Sequence, residues 1–126
     1  MLKFIETSDA PLPLGHYSQA TVIKECIYVA GQLPIDPSDD SRQFDTPEAQ
    51  TLQTLRNLEA VVLASGGAKS TIAKVSIFIA DIGLWPNVNT AYAEFFGDHK
   101  PARTAVPVPA LPKGFLVEID AIAYVC

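Results

Sequence analysis

Val117-Glu118-Ile119-Asp120-Ala121-Ile122-Ala123 is the stretch on which the fold turns. Its β-branched and apolar residues make residues 115–125 read as a strand. The period of two puts Leu116, Glu118, Asp120, Ile122 and Tyr124 on one face and Val117, Ile119, Ala121, Ala123 and Val125 on the other. The first face carries two acids between apolar neighbours, so it is either a solvated face or a partly covered one. Upstream, Pro101-Ala102-Arg103-Thr104 opens a second strand over 102–109, and Pro109-Ala110-Leu111-Pro112-Lys113-Gly114 supplies turn chemistry. The expectation is an antiparallel hairpin that sets Arg103 beside Glu118 and Asp120.

Further out, residues 2–5, 16–23 and 26–30 read as strands, with Pro11, Pro13 and Gly15 marking an irregular stretch between the first two. The third ends at Gly31-Gln32. Gly31 is either a backbone amide that a ligand can approach closely or simply the start of a loop. Residues 34–45, with two prolines and four aspartates, form a polar loop. A helix is predicted over 47–65. Thr46 is its N-cap, Pro47 takes its first position, Glu48 suits the positive end of its dipole and Gly66-Gly67 stops it. Ala49, Leu52, Leu55, Leu58 and Val62 form its buried stripe, with Gln50, Gln53, Arg56 and Asn57 off it. Residues 74–80 are a strand with bulky apolar groups on both faces. Pro86 opens a second helix that Gly97 ends, lined by Val88, Ala91, Tyr92 and Phe95, with Asn89 and Phe96 away from the centre of the stripe.

This order gives an α+β fold, one domain over 1–126, with two helices on one sheet face. Since the central strands are apolar on both sides, the other face is expected to pack against identical subunits in a closed ring. The chain is 48% apolar and 18% charged, as a globular protein is, and its net charge of −5 argues against a nucleic-acid partner. No segment reads as a signal peptide or a membrane span, so a cytoplasmic protein is expected. Cys26 and Cys126 offer no disulfide framework or CxxC pair, and His16 and His99 no zinc spacing, so plain thiols and no metal are expected.

Six segments in register resemble the RidA (YjgF) family of reactive-intermediate deaminases over essentially the full length. Gly15-His16-Tyr17-Ser18-Gln19-Ala20 resembles the family's Gly-Pro-Tyr-x-Gln segment, and Val29-Ala30-Gly31-Gln32-Leu33-Pro34 its Ser-Gly-Gln-(Ile/Leu)-Pro segment. Val88-Asn89-Thr90-Ala91-Tyr92-Ala93-Glu94-Phe95-Phe96 is similar to its second helix. Pro101-Ala102-Arg103-Thr104, Leu111-Pro112-Lys113 and Val117 to Ala123 resemble its terminal signature.

The resemblance implies a chorismate-mutase-like mixed sheet of about six strands, a homotrimer, and clefts between adjacent subunits. It also implies cofactor-free hydrolysis of 2-imino acids and their enamine tautomers to 2-oxo acids and ammonia. Carried over by position, Arg103 holds the substrate carboxylate and Glu118 positions or activates water, with Tyr17, Gly31 and Asn89 lining the cleft. Asp120 is then structural. Those residue types suit the chemistry. A guanidinium clamps a carboxylate through two charge-assisted hydrogen bonds, and carboxylate, phenol and ordered water serve the proton transfers of C=N hydrolysis.

The sequence departs from the family at Ala30, where many members have serine, and at Ala105, where many have cysteine. These two substrate-side positions therefore lose polar contacts. His16 replaces a frequent proline, and reads as a loop histidine or a new acid–base group. The Gly97 to Lys100 connection is about three residues shorter than in the commonest members. Two alternatives stand beside the general deaminase: a specialised deaminase for a pathway intermediate, and a non-catalytic carboxylate-binding or protein-interaction module on the same fold.

Overall fold

The Val117 segment lies inside the sheet. In the computed structural model, which describes residues 1–126, the strands are β1 (Lys3–Ile5), β2 (Ala20–Ile23), β3 (Cys26–Gln32), β4 (Ile72–Ile79), β5 (Ala102–Pro107) and β6 (Val117–Tyr124). They form one six-stranded sheet in the order β1-β2-β3-β6-β4-β5. Only β4 and β5 pair in parallel; every other neighbouring pair is antiparallel. Helices α1 (Pro47–Ala64) and α2 (Trp85–Phe96) pack on one face.

The alternation read for β6 holds. Val117, Ile119, Ala121 and Ala123 are buried, with Leu55, Leu58, Val61 and Val62 of α1 in the same core. Glu118 and Asp120 are half-buried on the opposite face, and Ile122 and Tyr124 are exposed there. The register continues that face through Tyr28 and Thr21 to Phe4 on one side and through Lys74, Ser76 and Phe78 on the other. It is a sheet face with large apolar groups in solvent: Phe4, Tyr28, Ile122 and Tyr124 are all exposed.

The expected hairpin does not form. β6 runs between β3 and β4, and β5 pairs with β4 instead, so a whole strand separates β5 from β6. Two physical features account for this. Pro107 and Pro109 cannot donate to a ladder, which confines this segment to a sheet edge. Helix α2 between β4 and β5 is the crossover that parallel neighbours require. The Val108–Leu116 connection steps over the end of β4. There the Val108 N–H donates to the Ile79 carbonyl at 2.9 Å and the Ala80 N–H to the Leu116 carbonyl at 2.9 Å.

Helix α1 starts as read, with the Thr46 hydroxyl accepting from the Ala49 N–H at 3.0 Å. Its buried face is wider than the leucine stripe, however. Gln53 and Asn57 are buried, whereas Leu52 is only half-buried. The two amides are polar yet inward-facing because they serve a loop. Asn57 Nδ2 donates to the carbonyls of Leu33 at 2.9 Å and Ile35 at 2.8 Å, and Gln53 Nε2 donates to Asn57 Oδ1 at 2.9 Å.

On α2, Phe96 is buried and Phe95 half-buried, the reverse of the expected stripe, because Val88, Tyr92 and Phe96 recur every four residues on the core side. The strand predicted over 16–23 begins only at Ala20. Before it, the buried Gln19 side chain takes over the work of a ladder. It accepts from the Thr7 N–H and donates to the carbonyls of Thr7 and Pro11. No helix is long and apolar enough to cross a membrane.

Candidate functional site

Arg103 projects from the edge strand. Its register partner is Val75, a buried residue on the helix side, so its side chain leans toward α2 rather than toward the open face. There it meets Trp85, Asn89 and Tyr92, which helical spacing aligns on one side of α2. The guanidinium carbon lies 4.7 Å from the Trp85 ring centroid and 4.8 Å from that of Tyr92, and Nη1 donates to Asn89 Oδ1 at 2.9 Å. No carboxylate pairs with it, since the one ion pair of the chain joins Arg42 to Asp36.

Arg103 also lines a cavity of about 370 Å³ whose wall includes Tyr92, Phe96, His99 and Lys100 and holds no acidic residue. A ring nitrogen of His99 is tied to the Ile72 carbonyl at 2.8 Å. The buried Tyr92 hydroxyl has no hydrogen-bond partner, and burial pushes its pKa up to about 12 against the opposing pull of Arg103.

Glu118 stands on the other face of the sheet, opposite Phe78 of β4. A cavity of about 480 Å³ beside it is lined by Leu14, Tyr17, Ala30, Gly31, Leu33 and Pro112 among others. The role of Gly31 is visible here. A Cβ at this position would run into the Glu118 carboxylate, with Glu118 Cδ at 3.0 Å and Cγ at 3.2 Å. The missing side chain is thus the seat of the acid, a use of glycine by close approach rather than by a left-handed backbone. Gly31 also belongs to β3, which runs on past the expected end at Ala30 to Gln32.

Burial raises the Glu118 pKa first, and the neighbouring Asp120 charge raises it further. Asp120 is raised by burial too, with Ser76 and Lys74 pulling against it. Tyr17 is half-exposed at the cavity rim, its oxygen accepting from the Leu14 N–H at 3.2 Å.

The seven residues singled out in the sequence therefore fall into two groups. Arg103 and Asn89 are in direct contact. Ala105 lies two residues along the same side of β5, half-buried against the core. Tyr17, Ala30, Gly31 and Glu118 share the second cavity. One chain does not bring the groups together: β4 lies between their strands, and they face opposite sides of the sheet. Sequence reasoning missed Trp85 and Tyr92 as companions of Arg103, although their spacing of four and three from Asn89 was a usable signal. It also missed Leu14, Leu33 and Pro112 around Glu118, which only the tertiary fold collects.

Comparison with known proteins adds an independent line. Residues 7–125 match the family described as Endoribonuclease L-PSP. A RutC family protein of Pyrococcus horikoshii is 42% identical over 124 residues, covering 98% of each chain. A 2-iminobutanoate/2-iminopropanoate deaminase of Rattus norvegicus is 40% identical over 121 residues, covering 96% of this chain and 88% of that one. Among solved structures, a protein of unknown function of the conserved Rid family from Yersinia pestis is 44% identical. It superposes with a TM-score of 0.94 over 99% of this chain and 100% of that one.

Proposed function

Since the chain belongs to this L-PSP family, the RidA or YjgF group, we propose that it hydrolyses 2-imino acids and their enamine tautomers to 2-oxo acids and ammonia. The observation that carries the proposal is a complementary pair of unfinished sites. A guanidinium with no counter-ion stands on one face, and a half-buried carboxylate with a raised pKa stands on the other. A second copy of the chain can complete both at once, as the homotrimer implied by the family resemblance would. The apolar open face of the sheet, with Phe4, Tyr28, Ile122 and Tyr124, supplies area for such an association.

In the joined cleft Arg103 of one copy fixes the substrate carboxylate, with Asn89 bracing it and Ala105 leaving room along β5. Tyr17, Ala30, Gly31 and Glu118 of the next copy form the opposing wall. Glu118 takes a proton from water as the oxygen bonds to the imine carbon and the C=N π pair moves to nitrogen. Return of protons to nitrogen lets the C–N bond break. Ammonia leaves and the carbonyl forms, so that imine plus water gives oxo acid plus ammonia. A carboxyl group whose pKa is raised is the better base for that exchange. A nuclease reading of the family's descriptive name has less support, because a chain of net charge −5 repels a phosphate backbone.

The test is complementation between two inactive variants, Arg103→Ala and Glu118→Gln, assayed on 2-iminobutanoate generated in situ. Unfolded and refolded together in equal amounts, they regain about a quarter of wild-type activity if each site draws its arginine and its glutamate from different copies. No recovery in a mixture shown to contain hybrid oligomers would place the site within one chain and sink the shared cleft. Full activity in either single variant would sink the assignment itself.

A further inference from the structure

We infer that Trp85 and Tyr92 are the jaws that orient Arg103, and that they make the site selective for a planar carboxylate over tetrahedral oxyanions. The inference rests on the reading of Arg103 as the substrate's anion site. Positions 85 and 92 are seven residues apart on α2, about 10.5 Å along the helix axis. The guanidinium carbon is 4.7 Å from one ring centroid and 4.8 Å from the other. The guanidinium therefore contacts both rings at once. Asn89, which lies between them in the helix, takes Nη1 at 2.9 Å and fixes the fork's rotation within the slot. Arg103 makes no other hydrogen bond, so its Nε and Nη2 donors stay uncommitted.

The slot explains how a cation is held still without a carboxylate partner. Each ring face attracts the guanidinium through its quadrupole, which keeps the charge available to a ligand, whereas a salt bridge would neutralise it. The same quadrupole sets the selectivity. A carboxylate binds coplanar with the fork through two parallel hydrogen bonds and keeps its oxygens off the ring faces. A phosphate or sulfate must place oxygens above or below that plane, toward the negative ring faces. Trp85 is half-buried and is the one tryptophan of the chain, so it is both the more replaceable jaw and a built-in reporter.

The experiment is calorimetric titration of the intact protein and its variants with 2-oxobutanoate and with inorganic phosphate, alongside steady-state kinetics. The wild type should bind 2-oxobutanoate at least about tenfold more tightly than phosphate, with a change in Trp85 emission. Trp85→Leu should weaken 2-oxobutanoate binding about tenfold, narrow the preference over phosphate and raise KM far more than it lowers kcat. Trp85→Phe, which restores a ring face, should recover the affinity to within about threefold, a rescue that a merely space-filling role would not require.

Wild-type affinity and preference in Trp85→Leu would overturn the jaws, as would equal binding of phosphate by the wild type. Arg103→Ala separates the two levels. If it too binds 2-oxobutanoate normally, the reading of Arg103 as the anion site fails. If it alone loses binding, only the jaws do.

Discussion

The two halves of the candidate site are held by opposite means. Arg103 is positioned by added mass: two aromatic rings and an amide from one helix close around a side chain that starts on an exposed edge strand. Glu118 is positioned by missing mass, its carboxylate resting where Gly31 has no Cβ. The difference follows from their places in the fold. An edge strand offers a long side chain nothing to lie against, so α2 must supply the walls. An interior strand is crowded on both sides, so β3 must leave a gap. A cation can be caged by ring faces without losing its charge, while a carboxylate in the same cage would be repelled.

The largest effects should come from removing the charges themselves. Arg103→Ala and Glu118→Gln are each expected to lower kcat/KM for 2-iminobutanoate by about a thousandfold, the range for losing a charge clamp or a general base. Comparison with the spontaneous hydrolysis rate checks this. Arg103→Lys should recover little, because an ammonium keeps the charge but lacks the planar fork that the slot orients. If lysine restores activity, the slot matters less than the charge and the contrast between the halves weakens.

Next in size is the glycine. Gly31→Ala places a methyl group on the Glu118 carboxylate and should cost about a hundredfold in kcat, with KM for the substrate carboxylate less affected. The reciprocal change on the other half, Asn89→Ala, should act mainly on KM, since it loosens the fork and leaves the acid seated. An equal split between kcat and KM in the two variants would contradict the division of labour drawn between the faces.

Smaller again is the support beneath the Glu118 cavity. Asn57→Ala removes one of the two donors to each of the Leu33 and Ile35 carbonyls, which keep, respectively, the Ile35 N–H at 2.8 Å and Gln53 Nε2 at 3.4 Å, and the loss of two such hydrogen bonds costs about 1–3 kcal/mol. Denaturant melts should show that loss. Kinetics should show a lowered kcat more than a raised KM, because Leu33 lines the Glu118 cavity.

How much of this was legible in the sequence depends on how local each signal is. The faces of β6, the cap and start of α1 and the existence of both helices rest on periodicity and end residues within a few positions, and all could be read. The hairpin failed because strand partnership is not local. Turn residues between 109 and 114 permit a hairpin, but whether β5 lies beside β6 or beyond β4 is decided by the crossover helix and by the prolines at the edge. Gln53 and Asn57 were misplaced for a related reason: a polar residue reads as outward unless one knows which distant carbonyls need donors. The candidate site residues were found through family resemblance, and their grouping into two half-sites required the topology. Trp85 and Tyr92 lay in plain view at helical spacing around Asn89, but Tyr92 also fits the core stripe, and its ring serves both purposes.

The finest test concerns the second acid. Asp120 raises the pKa of Glu118 by charge repulsion, second to burial, and is itself held up by burial. Removing its charge in Asp120→Asn should lower the Glu118 pKa, since the carboxylate no longer faces a like charge. As the proposed base, Glu118 would act when ionised, so activity should fall as pH drops through its pKa, and the acid limb of the kcat/KM profile should move to lower pH in the variant. The stability profile gives an independent reading. A carboxyl group whose folded pKa lies above its unfolded value binds protons more tightly in the folded state, so its contribution to stability is lost as pH rises through that window. In the wild type both acids act in this sense. Asp120→Asn should therefore flatten the decline in stability as pH rises through the carboxylate range. A shift of the acid limb without the change in slope would mean that Asp120 acts on Glu118 by moving it rather than by its charge.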